Sequence, residues 1–141
     1  MILALQDVFD MRDDNIFKAA SGLGAGIGLM HDACGALLGA SMMLSLKYGR
    51  ERQEIDNLEK LNNSAVPVGK LYKWFEKEYG SATCREIRTK LFDVYYDLKV
   101  PWQFELAEEA GQFEKCAEVV GRTAAKTAEM LWDAIEAEKK K

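Results

Sequence analysis

Apolar residues in this chain recur three and four positions apart, and nowhere do they alternate over a useful length. That property constrains the fold most, because a period near 3.6 buries a helix stripe and a period of two buries one face of a strand. Val94-Tyr95-Tyr96 is the best strand candidate, and it is a short run enclosed by Asp93 and Asp97. Ile2, Leu5 and Phe9 keep helical spacing and predict a first helix over residues 2–9. Asp13 or Asp14 can cap a second, over 15–20, which stops at Gly22. A third, long helix is expected from Gly28 or Leu29 to Tyr48, with Gly49 as its stop. Within it Gly35 and Gly39, and Ala36 and Ala40, lie four apart and form a small-residue stripe that another helix can approach closely.

The rest of the chain reads the same way. A charged, amphipathic fourth helix is expected over 51–61 with an Ile55, Leu58, Leu61 seam, broken by Asn62-Asn63-Ser64. A fifth runs from Pro67 to Tyr79 with Val68, Leu71, Tyr72 and Phe75 inward, and Gly80 ends it. Ser81 serves as N-cap of a sixth that carries Cys84, Ile87 and Leu91. Pro101 opens a seventh over 102–110. The last spans 113–137, with Phe113, Cys116, Val120, Ala124, Thr127, Leu131 and Ala134 as its buried stripe. The expectation is an all-α, single-domain bundle of about six to eight helices over residues 1–141.

Composition narrows the function. At 48% apolar residues, 141 residues can bury a core without staples. A net charge of -4 argues against nucleic acid as a partner, since phosphate binding wants a basic face. The one basic run, Lys139-Lys140-Lys141, reads as a solvated tail. The longest charge-free apolar stretch, Ala33 to Leu46, falls short of the ~20 residues a bilayer span needs. With no secretory signal visible, a cytoplasmic, non-spanning protein is expected. The small-residue stripe and the long last helix suit a homodimer. Gly22 to Gly28 is glycine-rich, but the G-x-G-x-x-G spacing fails, no strand precedes it and no Lys-Ser/Thr follows. It reads as a turn or close contact that only glycine permits. The aromatic residues Tyr72, Trp74, Phe75, Tyr79, Tyr95, Tyr96 and Trp102 read as core packing.

Three cysteines are an odd number and form no CxxC pair, so neither a paired secreted framework nor a local zinc motif is present. Cys84 falls in the first turn of its predicted helix, where free amides and the helix dipole favour a thiolate, with Arg85 and Arg88 adding positive charge. Cys34 sits beside the small-residue stripe, and Cys116 on an apolar helix face reads as a small buried hydrophobe. His31, the only histidine, stands three residues before Cys34 and on a common helix would face the same point. It can act as a base toward a thiol or as a metal ligand.

The segment Cys34-Gly35-Ala36-Leu37-Leu38-Gly39 resembles the CGAxxG signature of the redox-active protein family C_GCAxxG_C_C. The preceding Gly24-to-Gly28 stretch, the Lys47-Tyr48-Gly49 helix end and Phe75 through Glu86 are similar to the family as well, and Cys116 falls where its last cysteine is expected. The resemblance covers nearly the whole chain. It implies an all-helical protein of bacterial or archaeal type, often encoded near transporters, with a redox partner or transporter-associated protein as its partner. The family pattern has four cysteines and this chain has three; the absent one should fall at or just before Met1.

Three functions remain in view. In a thiol-based redox protein Cys84 would be the attacking, low-pKa thiolate and Cys34 or Cys116 the resolving partner. In a metal or iron-sulfur module Cys34, Cys84 and Cys116 would be joined by His31 as fourth ligand. In a helical accessory domain the cysteines would be inert.

Overall fold

The computed structural model describes residues 1–140, and Lys141, the end of the basic run, lies outside the described residues. Among those residues the chain forms seven α-helices and no strand. They are α1 (Ile2–Phe9), α2 (Asp14–Ala19), α3 (Gly35–Tyr48), α4 (Leu58–Tyr79), α5 (Cys84–Phe92), α6 (Pro101–Glu109) and α7 (Gln112–Lys139). The fold is an all-α bundle, as the periodicity implies, and Val94-Tyr95-Tyr96 lies in a loop between α5 and α6. No helix among the described residues is long and apolar enough to cross a membrane.

Helix ends follow their local chemistry. Asp13 caps α2 by accepting from the amides of Asn15 and Ile16. Pro101 takes the first position of α6, where its missing N–H costs nothing. Gly80 and Gly111 hold positive φ at helix boundaries, +77° and +71°, which glycine adopts without a Cβ penalty.

Three boundaries differ from the sequence reading. Thr83, and not Ser81, caps α5: its Oγ1 accepts from Glu86 N, while Ser81 Oγ accepts from Thr83 N at 2.9 Å. The two helices expected over 51–61 and 67–79 are one helix, α4, preceded by a 3-10 turn at Arg52–Glu54. Asn62, Asn63 and Ser64 cost only a few tenths of a kcal/mol each in a helix. The C-terminal half of α4 buries Leu71, Phe75 and Tyr79, and that anchored half carries the helix back through Pro67 to its cap at Asn57. Helix α3 begins at Gly35, later than its expected start at Gly28 or Leu29, because the segment ahead of it folds as a loop.

α3 is the central element. It buries Ala36, Leu37, Gly39, Ala40, Met43 and Leu44, so it is covered on several sides. Its Ala36, Leu37, Ala40 and Leu44 join Leu71, Phe75 and Tyr79 of α4, Ile87 of α5, and Val119 and Leu131 of α7 in the main core. The small-residue stripe serves α1: a Cβ on Gly39 would lie 3.2 Å from Met1 Cγ and 3.5 Å from Ile2 Cγ1. Phe75 and Tyr79 pack with tilted rings, centroids 4.7 Å apart, inside the core, while Tyr72 and Trp102 are exposed, so the aromatic residues are not one cluster. The stripe of α7 runs through Gln112, Val119, Thr123, Thr127 and Leu131, about one position off the expected one; Thr127 and Leu131 are shared. Thr123 and Thr127 fit there because their hydroxyls donate to the carbonyls of Val119 and Thr123.

Candidate functional site

The loop between α2 and α3 builds the site from its backbone outward. After a 3-10 turn at Ala20–Leu23, Ala25, Gly26, Ile27, Gly28 and Leu29 all have positive φ, between +48° and +75°, and His31 has φ +60°. Left-handed conformation costs an L-residue about 1–2 kcal/mol, so Ala25, Ile27, Leu29 and His31 are each strained. Long-range loop hydrogen bonds hold them: Gly28 N to Gly22 O at 2.8 Å, His31 N to Ala25 O at 3.0 Å and Asp32 N to Gly26 O at 3.1 Å. Gly26 is indispensable to this closure, since a Cβ there would fall 2.6 Å from Asp32 N and 2.7 Å from His31 Cα. A Cβ on Gly35 would similarly meet Leu23 O at 2.7 Å.

The end of this loop pairs with the start of α5. An isolated antiparallel bridge joins Ala33 to Thr83. Around it Cys34 N donates to Ala82 O at 2.8 Å, Cys84 N to Asp32 O at 2.7 Å and Arg85 N to His31 O at 2.9 Å. Cys34 therefore stands as the N-cap residue of α3 and Cys84 as the first residue of α5, with the two helix starts side by side. Cys116 reaches the same place from α7. All three cysteines are free thiols and line one cavity of about 660 Å³ together with the glycine-rich loop, Ile87, Arg88, Phe104, Phe113 and Val119.

His31 is 2% exposed and meets Cys84, not Cys34. The expected helical pairing of His31 with Cys34 fails because His31 lies in the loop, ahead of the helix. Its Nδ1 is 4.0 Å from Cys84 Sγ and 3.2 Å from Arg88 Nη1. A guanidinium has no lone pair, so in the Arg88 contact Nδ1 is the acceptor, an arrangement that puts the neutral ring's proton on Nε2. That proton would point toward Asp97 Oδ1 at 3.6 Å, while the Leu98 N–H donates toward Nε2 at 3.4 Å, a contact that fits the other tautomer. Tyr95 packs edge-on against the imidazole at 5.2 Å and lies under the Arg85 guanidinium at 4.4 Å. Arg88, also 2% exposed, donates from Nε to Gln112 Oε1 at 3.0 Å and again to it from Nη2.

The electrostatics correct the expectation of a low thiol pKa. Burial pushes the Cys84 thiol up, from 9.0 to about 11, with the neighbouring Cys34 adding to the rise and Arg88 opposing it. The helix start does not rescue the thiolate because its amides are already taken: Cys84 N by Asp32 O, Arg85 N by His31 O, and Glu86 N by Thr83 Oγ1. Burial also raises Cys34, against a downward pull from the amides of Ala36 and Leu37, and raises Cys116, against Arg88. Burial, then Arg88, holds His31 below its usual 6.5, with Asp97 opposing.

The metal quartet of His31, Cys34, Cys84 and Cys116 is not formed: no group of three or more His, Cys, Asp or Glu among the described residues is placed to hold a metal ion. The physical reason is Arg88, whose cationic head occupies the Nδ1 side of His31, where a shared metal would have to sit. Sequence reasoning named Arg88 only as nearby charge and missed Gln112, Asp97 and Tyr95. Arg88 is one helical turn beyond Cys84, a spacing that puts both on one face; Gln112 and Asp97 carry no local signal.

The family model described as "Putative redox-active protein (C_GCAxxG_C_C)" matches residues 1–130. Neither the curated proteins nor the solved structures give a match. Matched over all but its last eleven residues, and carrying its cysteines on one cavity, the chain belongs to the C_GCAxxG_C_C family.

Proposed function

We propose that this protein carries out thiol–disulfide exchange, with Cys84 as the attacking sulfur, His31 as its base and Cys34 as the resolving thiol. The observation that carries this reading is the convergence of three thiols on one cavity, one of them addressed by a buried imidazole lone pair. With its pKa near 11, Cys84 rests as a thiol, and His31, neutral at pH 7, can take its proton once the Arg88 N–H leaves Nδ1. The thiolate is therefore made at the moment of attack and is not stored.

The steps balance with a disulfide as oxidant. The Cys84 proton moves to His31 Nδ1, and the Arg88 N–H now held by that lone pair turns to the new thiolate sulfur. Cys84 Sγ attacks one sulfur of the substrate disulfide, that S–S bond breaks, and the first thiol leaves with a proton. Cys34 then attacks Cys84 Sγ in the mixed disulfide and releases the second thiol. Two electrons pass from the protein dithiol to the substrate, leaving a Cys34–Cys84 disulfide. Support for Cys34 as partner comes from the Ala33–Thr83 bridge, across which residues 34 and 84 are diagonal neighbours, a relation that separates α-carbons by about 7–8 Å. A disulfide needs less than about 7 Å, so a small approach suffices.

The test is differential alkylation and mass spectrometry of anaerobically purified protein, before and after exposure to a small disulfide. A reversible Cys34–Cys84 bond is the expected result. A Cys84–Cys116 bond instead would move the resolving role to Cys116. Three thiols that stay free would overturn the proposal.

A further inference from the structure

We propose that the cavity shared by the three cysteines is a binding site for a small amphipathic carboxylate, an apolar body whose single anionic head sits against Arg88. The walls are apolar, with Ile87, Leu98, Phe104, Phe113 and Val119 among them, and among the described residues Arg88 is the only one lining it with a charged side chain. A volume of about 660 Å³ falls in the range of small-molecule sites, about 300–1,000 Å³.

Arg88 supplies the second half of the argument. A guanidinium removed from water is costly unless an anion accompanies it. No carboxylate among the described residues pairs with Arg88: its partners are Gln112 Oε1 and His31 Nδ1, with the Cys84 thiol beside it. The nearest acid in this network, Asp97, is engaged by His31 at 3.6 Å and Lys99 at 3.7 Å. His31 and Cys84 are both held in their neutral forms, so the resting site carries an uncompensated positive charge against an apolar void. The planar fork of arginine suits a carboxylate. A dianionic phosphate head would outnumber the single cation.

An anion on Arg88 and a thiolate on Cys84 compete for one positive charge, so the bound carboxylate also slows Cys84 alkylation. The inference does not rest on disulfide exchange. Carboxylate binding is read by calorimetry on the reduced wild-type protein and disulfide formation by mass spectrometry, so the two readings fail separately.

The experiment is calorimetric titration of the full chain with decanoate, octanoate and decanol, alongside iodoacetamide labelling. Decanoate is expected to bind with 1:1 stoichiometry, about tenfold or more tighter than decanol, as a charge-assisted hydrogen bond implies. Octanoate should bind about 15-fold more weakly than decanoate, from about fourfold per methylene. Arg88→Met should weaken decanoate about tenfold and leave decanol unchanged. If that variant does not fold, the wild-type comparison of head groups and the protection of Cys84 by decanoate decide. Equal affinity for decanol and decanoate, no binding of either, or decanoate binding that leaves Cys84 labelling unaltered would each overturn the proposal.

Discussion

His31 enters the site from a left-handed backbone conformation, and its ring divides two tasks, Nδ1 toward Cys84 and Arg88 and Nε2 toward Asp97. As the base of the proposed exchange, it contributes a rate factor of about 10²–10⁴. His31→Gln should therefore slow Cys84 disulfide formation by at least about 10² in stopped-flow oxidation, while Asp97→Asn, which only orients the ring, costs less. The same residue makes stability depend on pH. Its folded pKa lies below the unfolded value of 6.5, so below that pH the unfolded chain binds more protons. Stability is full above pH 6.5 and falls as the pH drops toward the folded value; denaturant midpoints across pH 4–8 should show this slope, flattened in His31→Gln. Cys84 gives the opposite edge. The folded thiol keeps its proton up to about pH 11 and the unfolded one releases it near 9.0, so stability drops as pH rises through that window. Cys84→Ala should reduce the alkaline loss without abolishing it, since Cys34 and Cys116 are shifted the same way.

At the scale of elements, the glycine-rich loop and α4 show two ways of spending conformational freedom. In the loop the strained residues lie within a closed set of backbone hydrogen bonds, and Gly26 lets residue 31 pass at contact distance. Gly26→Ala should displace His31, with a loss of about 2 kcal/mol or more from left-handed strain and backbone overlap, read as a lower melting temperature and slower Cys84 oxidation. In α4 the irregularity has no such role. Pro67 removes the amide that would bond Asn63 O, in a region whose neighbours Val66 and Gly69 are exposed. Pro67→Ala should stabilise the fold by about 1–3 kcal/mol in denaturant titrations and leave thiol chemistry unchanged. The helical period over α1, α4's C-terminal half and α7 was legible because each presents a periodic apolar stripe. The start of α3 was not, because the glycine-rich stretch between 22 and 35 is compatible with both a helix and a left-handed loop; the loop is held by its own backbone hydrogen bonds together with contacts to residues 82–85.

For the whole molecule, the cavity is a product of assembly. Its three sulfurs come from the starts of α3 and α5 and from α7, far apart in sequence, and α3 at the centre of the bundle sets their meeting point. Oxidation is a test at this scale. A Cys34–Cys84 disulfide closes a loop of about 50 residues, which in the chain-entropy view stabilises by about 4 kcal/mol. The oxidised protein should thus melt higher than the reduced one, and that difference should vanish in Cys34→Ser.

The sequence by itself determined the all-helical class and most of the helix ends, because periodicity and capping residues are local properties, and it offered the three sulfurs as the candidate site. It also suggested a reactive Cys84 from its place in a helix first turn. Tertiary structure alone decided that thiol's protonation, since burial and the carbonyls of His31 and Asp32 consume what the helix start would have offered. It likewise decided that His31 lies against Cys84 and not Cys34, and that Arg88 is buried with no acid among the described residues paired to it. Desolvation and the direction of a lone pair depend on which segments meet, and no window of the chain contains that information.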